Sequence, residues 1–167
     1  MHQPLLYDLM KQRILFVCLG NICRSPAAEA ILLNKLEKLK LIDQFDVDSA
    51  GTGNWHVGKL ADSRMREAAS NRGISIKSRG RQISFDDFSQ FDLILTMDND
   101  NLKQVQSLAK ELSTTSKAKI KPLLSYSNQT DLIEVPDPYY GGDKGFDQVL
   151  DLLEVAIDGL IEDIRVV

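Results

Sequence analysis

Apolar positions along the chain alternate between two rhythms. Arg13-Ile14-Leu15-Phe16-Val17 is a short, nearly continuous apolar run, the pattern of a strand buried on both faces. Ser25-Pro26 then predicts a helix start, with Ser25 as N-cap and Pro26 at the first helical position. Ala28, Ile31, Leu32, Leu36 and Leu39 follow at helical spacing. Phe45 to Ala50 predicts a second strand that ends at Gly51, and a second helix is expected over roughly 61–71, stopped by Gly73 as its C-terminal cap. Phe91 to Met97 predicts a third strand, followed by a helix through Leu102, Val105, Leu108 and Leu112. Lys119 to Leu124 is a weaker fourth strand. The last helix is the clearest: Phe146, Val149, Leu150, Leu153, Ala156, Ile157, Leu160, Ile161 and Ile164 keep one face apolar for several turns, and that face is expected to be core.

Strand–helix alternation implies an α/β fold, a parallel sheet with helices on both faces. Right-handed crossovers place the loops after the strands along one sheet edge, and ligands bind there, at the switch point. The segment from Cys18 to Arg24, which leaves the first strand, is therefore where chemistry is expected.

Composition narrows the function classes. A chain of 167 residues is the size of one domain. With 43% hydrophobic and 26% charged residues it has enough apolar surface to offset chain entropy, so wholesale disorder is excluded. Twenty basic against twenty-four acidic residues give a net charge of −4. Without a long basic run, that argues against a nucleic-acid partner but leaves room for a small anion pocket. No apolar run is long enough for a transmembrane helix, so membrane insertion is not expected. The N-terminus does not read as a signal peptide. The two cysteines, Cys18 and Cys23, share one short segment, which points to a reduced, cytoplasmic setting and to catalytic or redox use. No metal is expected, since His2 and His56 lack ligand spacing; His56 reads as structural or as part of a pocket rim.

The segment Cys18-Leu19-Gly20-Asn21-Ile22-Cys23-Arg24-Ser25-Pro26 runs from a buried strand into a helix N-terminus. Such a terminus offers unpaired N–H groups and a positive dipole end to an anion. Gly20 and Asn21 tolerate left-handed backbone angles, so the chain can curl and aim amides inward. Arg24 adds a planar guanidinium able to grip two phosphate oxygens. Cys18 would sit beneath the ring, where the same amides, dipole and arginine favour the thiolate. One device thereby activates a nucleophile and stabilises developing charge on a phosphoryl group.

This C-x5-R-S pattern, with Gly-Asn inside the loop and Ser-Pro after the arginine, resembles the low-molecular-weight protein tyrosine phosphatases. Ser49-Ala50-Gly51-Thr52, Trp55, Thr96-Met97-Asp98 and Asp137-Pro138-Tyr139-Tyr140-Gly141 extend the resemblance from about Arg13 to near the C-terminus. Residues 1–12 look like an N-terminal extension, and 13–167 like a single phosphatase domain. The fold expected is three-layered, a four-stranded parallel sheet in the flavodoxin-like order 2-1-3-4. The resemblance implies hydrolysis of phosphotyrosine in protein substrates through a cysteinyl-phosphate, without cofactor or metal. Cys18 is then the nucleophile; the amides of Leu19, Gly20, Asn21, Ile22 and Cys23, with Arg24, hold the phosphoryl oxygens. Ser25 stabilises the thiolate, and Asp137 protonates the leaving group before deprotonating water. Asn21, Ser25 and Ser49 brace the loop; Leu19, Trp55, Tyr139 and Tyr140 wall the substrate ring. Pro136 and Pro138 stiffen the acid's loop, and a bell-shaped, mildly acidic pH optimum follows from needing a protonated acid beside a thiolate.

Some readings stay open. Cys23 is either a passive loop residue or the partner in a reversible Cys18–Cys23 disulfide that protects the nucleophile. Arg72 stands where several relatives carry a loop-bracing histidine, a departure in that network. The rival functions are a protein-arginine phosphatase of the same family, whose members carry Thr where Ile22 stands, and a non-catalytic phosphoanion-binding module. Arsenate reduction is disfavoured because no cysteine follows Cys23. Oligomeric state is open, with a monomer the simpler expectation.

Overall fold

A computed structural model describes residues 11–112, 116–128, 131–140 and 142–165, with the backbone alone at Tyr140, Asp143 and Arg165. Most of the expected N-terminal extension, residues 1–10, lies outside the described residues, as does Gly141. In chain order the elements are β1 (Gln12–Cys18), α1 (Arg24–Lys38), β2 (Phe45–Gly51), α2 (Ser63–Ser70), α3 (Asp87–Gln90), β3 (Leu93–Thr96), α4 (Asn99–Lys110), β4 (Lys119–Pro122) and α5 (Asp143–Arg165).

Side chains of a strand alternate between faces. On β1, Ile14, Phe16 and Cys18 join a cluster with Ile31, Leu36, Met65 and the apolar stripe of α5. Leu15 and Val17 join the opposite cluster, with Phe88, Ile94 and Val105. Both faces are therefore buried, which is why the run reads as continuously apolar. β1 pairs in parallel with β2 and β3, Ile14 lying opposite both Val47 and Leu93. β4 extends the sheet in parallel beyond β3. The order is β2-β1-β3-β4, as the alternation and resemblance led us to expect. Helices α1, α2 and α5 feed the first cluster; α3 and α4 feed the second.

Three local expectations shift. Helix α1 begins at Arg24 with Cys23 as N-cap, so Ser25 is its second residue and makes no cap. Pro26 still falls in the first turn, where its missing N–H costs nothing. The short α3 gives no periodic signal in four residues, yet it buries Phe88. The fourth strand stops at Pro122, and the chain turns through a 3₁₀ segment, Leu123–Tyr126, that buries Leu123 and Leu124 against the α5 side. No described helix is long and apolar enough to cross a membrane.

Candidate active site

The parity of β1 aims Cys18 at the α1 face, where the thiol is 3% exposed. Beyond it the loop is held from outside by its carbonyls. Thr52 N–H donates to Cys18 O (2.9 Å), Gly53 N–H to Leu19 O (2.9 Å), and Asp62 N–H to Ile22 O (2.7 Å). A trans peptide sets each N–H opposite the preceding carbonyl, so the amides of Leu19, Gly20 and Cys23 turn away from those supports. The support is close: a Cβ on Gly51 would lie 2.8 Å from Leu19 O, which only glycine avoids. Asn21 adopts φ 54°, the left-handed conformation anticipated for this loop.

Cys18 Sγ receives the Asn21 main-chain N–H at 3.3 Å and lies 2.9 Å from Ser25 Oγ. The Asn21 amide nitrogen donates to Ser25 Oγ (2.8 Å) and to Ser49 Oγ (3.0 Å), and its oxygen accepts the Arg81 N–H (2.9 Å). Ser49 in turn donates to Glu29 at 2.6 Å. Burial pushes the Glu29 carboxyl above its usual range, opposed by hydrogen bonds from Ser49 and Ser78. Asn21, Ser25 and Ser49 thus meet in one network.

Arg24 lies almost wholly inside. One of its terminal nitrogens donates to Asp98 (2.7 Å) and to the Val135 carbonyl (3.0 Å); the other lies 3.8 Å from Asp137. Burial works against its charge, but Cys18, Asp98 and Asp137 outweigh that and hold the guanidinium firmly protonated. Asp98 has a second duty: its other oxygen accepts the Asn101 N–H (2.8 Å) and caps α4. Asp137 is half-exposed, its carboxylate accepting the Tyr139 N–H at 3.0 Å.

These groups surround a cavity of about 250 Å³, with Cys18, Leu19, Arg24, Trp55, Asp137 and Tyr139 on its lining. Trp55 and Tyr139 are largely exposed, 64% and 62%. The side chain of Tyr140 lies outside the described residues. His56 takes a rim position, packing on Gly20. Arg64 stacks over Phe146 (4.8 Å) and Tyr139 (5.8 Å) and holds the Asp62 carboxyl below the usual range through their hydrogen bonds. Both cysteines are free thiols. Burial, with Cys18 and nearby carboxylates, drives the Cys23 thiol well above the ordinary range.

The structure therefore gathers Cys18, Leu19, Gly20, Ile22, Cys23, Arg24, Trp55, Asp137 and Tyr139 around one cavity and places Asn21, Ser25 and Ser49 in the buried network behind it. Arg72 does not reach the loop; it pairs with Asp147, Asp151 and Glu154 on α5. Asp98, Glu29 and Arg81 were not assigned roles from the sequence. Asp98 had a signal, since it follows a strand at the ligand edge and precedes a helical run. Glu29 is a lone carboxylate on a helix, flanked by Ala28 and Ala30 with nothing near it in sequence to name its partner, and Arg81 lies in an irregular segment, so neither had one.

A buried thiol under a helix N-terminus, with an arginine beside it and a carboxylate at the mouth, defines a phosphoanion site on a parallel α/β fold. The family model for low molecular weight phosphotyrosine protein phosphatase matches residues 13–166, and the chain belongs to that family of phosphatase enzymes. A low molecular weight protein-tyrosine-phosphatase of Streptomyces coelicolor is 40% identical over 159 residues, covering 93% of this chain and 95% of that protein. The crystal structure of a protein tyrosine phosphatase from Entamoeba histolytica with Hepes in its active site superposes with TM-score 0.87 at 43% identity, covering 93% and 97%. The Drosophila arginine phosphatase superposes equally well, TM-score 0.87, at 35% identity over 91% and 97%.

Proposed function

We propose that this phosphatase hydrolyses phosphotyrosine in protein substrates, and aryl phosphates generally, through a cysteinyl-phosphate. Cys18 Sγ attacks phosphorus; the bond to the phenolic oxygen breaks, and Asp137 delivers its proton to that oxygen. Asp137 then takes a proton from water, whose oxygen attacks phosphorus while the S–P bond breaks and Cys18 leaves as thiolate. The single observation that carries this reading is the placement of a buried sulfur at the foot of a cavity. An amide N–H and a hydroxyl lie on that sulfur, Arg24 stands beside it, and Asp137 is 3.8 Å from Arg24. Arg24 and the amides of residues 19–23 are the groups to share the phosphoryl oxygens, and Ser25 is the donor to the departing thiolate. Leu19, Trp55 and Tyr139 supply apolar walls for an aromatic ring, with Tyr140 adjoining in sequence.

Cys18→Ser is expected to abolish turnover of p-nitrophenyl phosphate while phosphate binding persists; turnover that survives would rule the mechanism out. Asp137→Ala should slow hydrolysis of poor leaving groups far more than good ones, by roughly 10²–10⁴. Equal losses across a leaving-group series would remove Asp137 as the acid.

The arginine-phosphatase reading draws on the fly neighbour. Ile22, an apolar branched residue in the loop, favours the tyrosine reading over it. Phosphotyrosine and phosphoarginine peptides assayed side by side separate the two. We further read residues 13–167 as one catalytic domain behind a short extension, acting in the cytoplasm as a monomer; the family match beginning at residue 13 supports that boundary. Cys23, which lines the same cavity as Cys18, is the candidate partner for a protective disulfide.

A further inference from the structure

Arg81 belongs to no strand or helix, yet its contacts converge on the nucleophile. Its main-chain N–H donates to Asn21 Oδ1 at 2.9 Å. Of the two hydroxyls on the other end of that amide, Ser49 gives its hydrogen to Glu29 at 2.6 Å and so accepts from Asn21, whereas Ser25 donates or accepts as required. Ser49 thus already favours Nδ2 on this side, while Ser25 taken by itself decides nothing. A main-chain N–H only donates, so the Arg81 amide holds Oδ1 toward itself from the far end and, together with Ser49, keeps Nδ2 turned toward both serines. Ser25 Oγ must then accept from Asn21, and its single hydrogen is left for another acceptor. Two are in reach, Cys18 Sγ at 2.9 Å and the Ala50 carbonyl at 3.4 Å, and the nearer is the sulfur.

The placement of that N–H is itself fixed. The Arg81 guanidinium grips both oxygens of Asp87 at 3.0 Å each and reaches Asp48 at 2.9 and 3.0 Å. Asp48 lies on β2; Asp87 opens α3 and is 4% exposed. The Arg81 carbonyl accepts the Gly51 N–H at 2.8 Å, so the main chain is clamped on both sides. An arginine fork matches two carboxylates in a way that no single point charge reproduces.

We propose that Arg81 is a positioning residue: clamped between Asp48 and Asp87, it orients the Asn21 amide and so commits the Ser25 hydroxyl to the Cys18 sulfur. The inference rests on the reading of Cys18 as nucleophile. It predicts that loosening the clamp lets the Asn21 amide turn, frees Ser25 to accept rather than donate, and weakens the thiolate.

The test is the pH profile of Cys18 alkylation by iodoacetamide, with the modified thiol located by mass spectrometry. It is run on the unaltered chain, Arg81→Met and Asp87→Asn, each with and without Ser25→Ala. Arg81→Met should alkylate roughly tenfold more slowly at a pH below both midpoints, the equivalent of one unit of midpoint. Asp87→Asn should shift the profile the same way by less. In the Ser25→Ala background neither substitution should move it further, because the route through Ser25 is already cut. A merely structural clamp would lower the melting temperature and leave the profile where it was; that result, or shifts that add to those of Ser25→Ala, overturns the proposal. If Arg81→Met does not fold, an unchanged profile in Asp87→Asn overturns it alone. An ordinary thiol profile in the unaltered chain would instead overturn the nucleophile reading.

Discussion

Arg24 spends one terminal nitrogen on Asp98 and Val135 and leaves the other facing Asp137. A guanidinium tethered at one end keeps its plane fixed, which is what bidentate capture of an anion requires. Asp98→Asn keeps the shape and the cap on α4 but removes the charged tether. We expect kcat/KM to fall roughly tenfold or more with the circular dichroism spectrum unchanged, in line with the ~1.5–3 kcal/mol of a charged hydrogen bond. Glu29 gives a residue-level test in stability. Burial raises its folded-state pKa above the unfolded value. The folded state therefore binds its proton more tightly, and the associated stability is present below the unfolded pKa and lost as pH rises through the folded one. Glu29→Gln removes that dependence. Denaturation followed upward from acid pH should show the unaltered chain losing ground to the Glu29→Gln variant once pH passes the unfolded pKa, and levelling off when the folded carboxyl has ionised; parallel curves throughout would contradict the assignment.

Among the elements, α5 carries the longest apolar stripe, yet it contains Gly159 in its interior. Glycine there weakens a helix by ~1 kcal/mol relative to alanine. The reason is the turn at Leu123–Tyr126: a Cβ on Gly159 would collide with the Tyr126 carbonyl oxygen. Gly159→Ala, stabilising in an isolated helix, should cost about 1–3 kcal/mol here through overpacking. Thermal unfolding should register this as a drop of several degrees, at roughly 2–4 °C per kcal/mol for a chain of this size. At this scale most of the sequence reading is recovered. The rhythm of β1 and α5 identifies them because burial on both faces, or along one stripe, writes itself directly into residue order. The N-cap of α1 moves from Ser25 to Cys23, and the serine hydroxyl is engaged by Cys18 and Asn21 instead of the helix end. Four-residue α3 has too few positions to show a period.

For the molecule as a whole, the site is an anion receptor assembled from β1, α1, the β2 end, the α4 cap and the loop before α5. Anything that binds only the folded state stabilises it by mass action, about 2.7 kcal/mol at a hundredfold excess over Kd. Vanadate or phosphate should therefore raise the melting temperature of the chain and of its Cys18→Ser variant. Arg24→Ala should abolish that rise, and a rise of equal size in Arg24→Ala would place the anion elsewhere.

Residue order by itself determined the strand–helix alternation, the sheet edge on which the chemistry falls, and the C-x5-R-S loop, because periodic burial and a contiguous anion ring are properties of near neighbours. The tertiary structure decided what holds that ring in working shape. Arg81 is brought to Asn21 across sixty positions, Asp98 to Arg24 across seventy-four, and Asp137 to the cavity mouth from the far end of the chain. Such partners meet only after the sheet has formed, since a hydrogen bond selects whatever group the fold carries within about 3 Å, wherever in the sequence it resides.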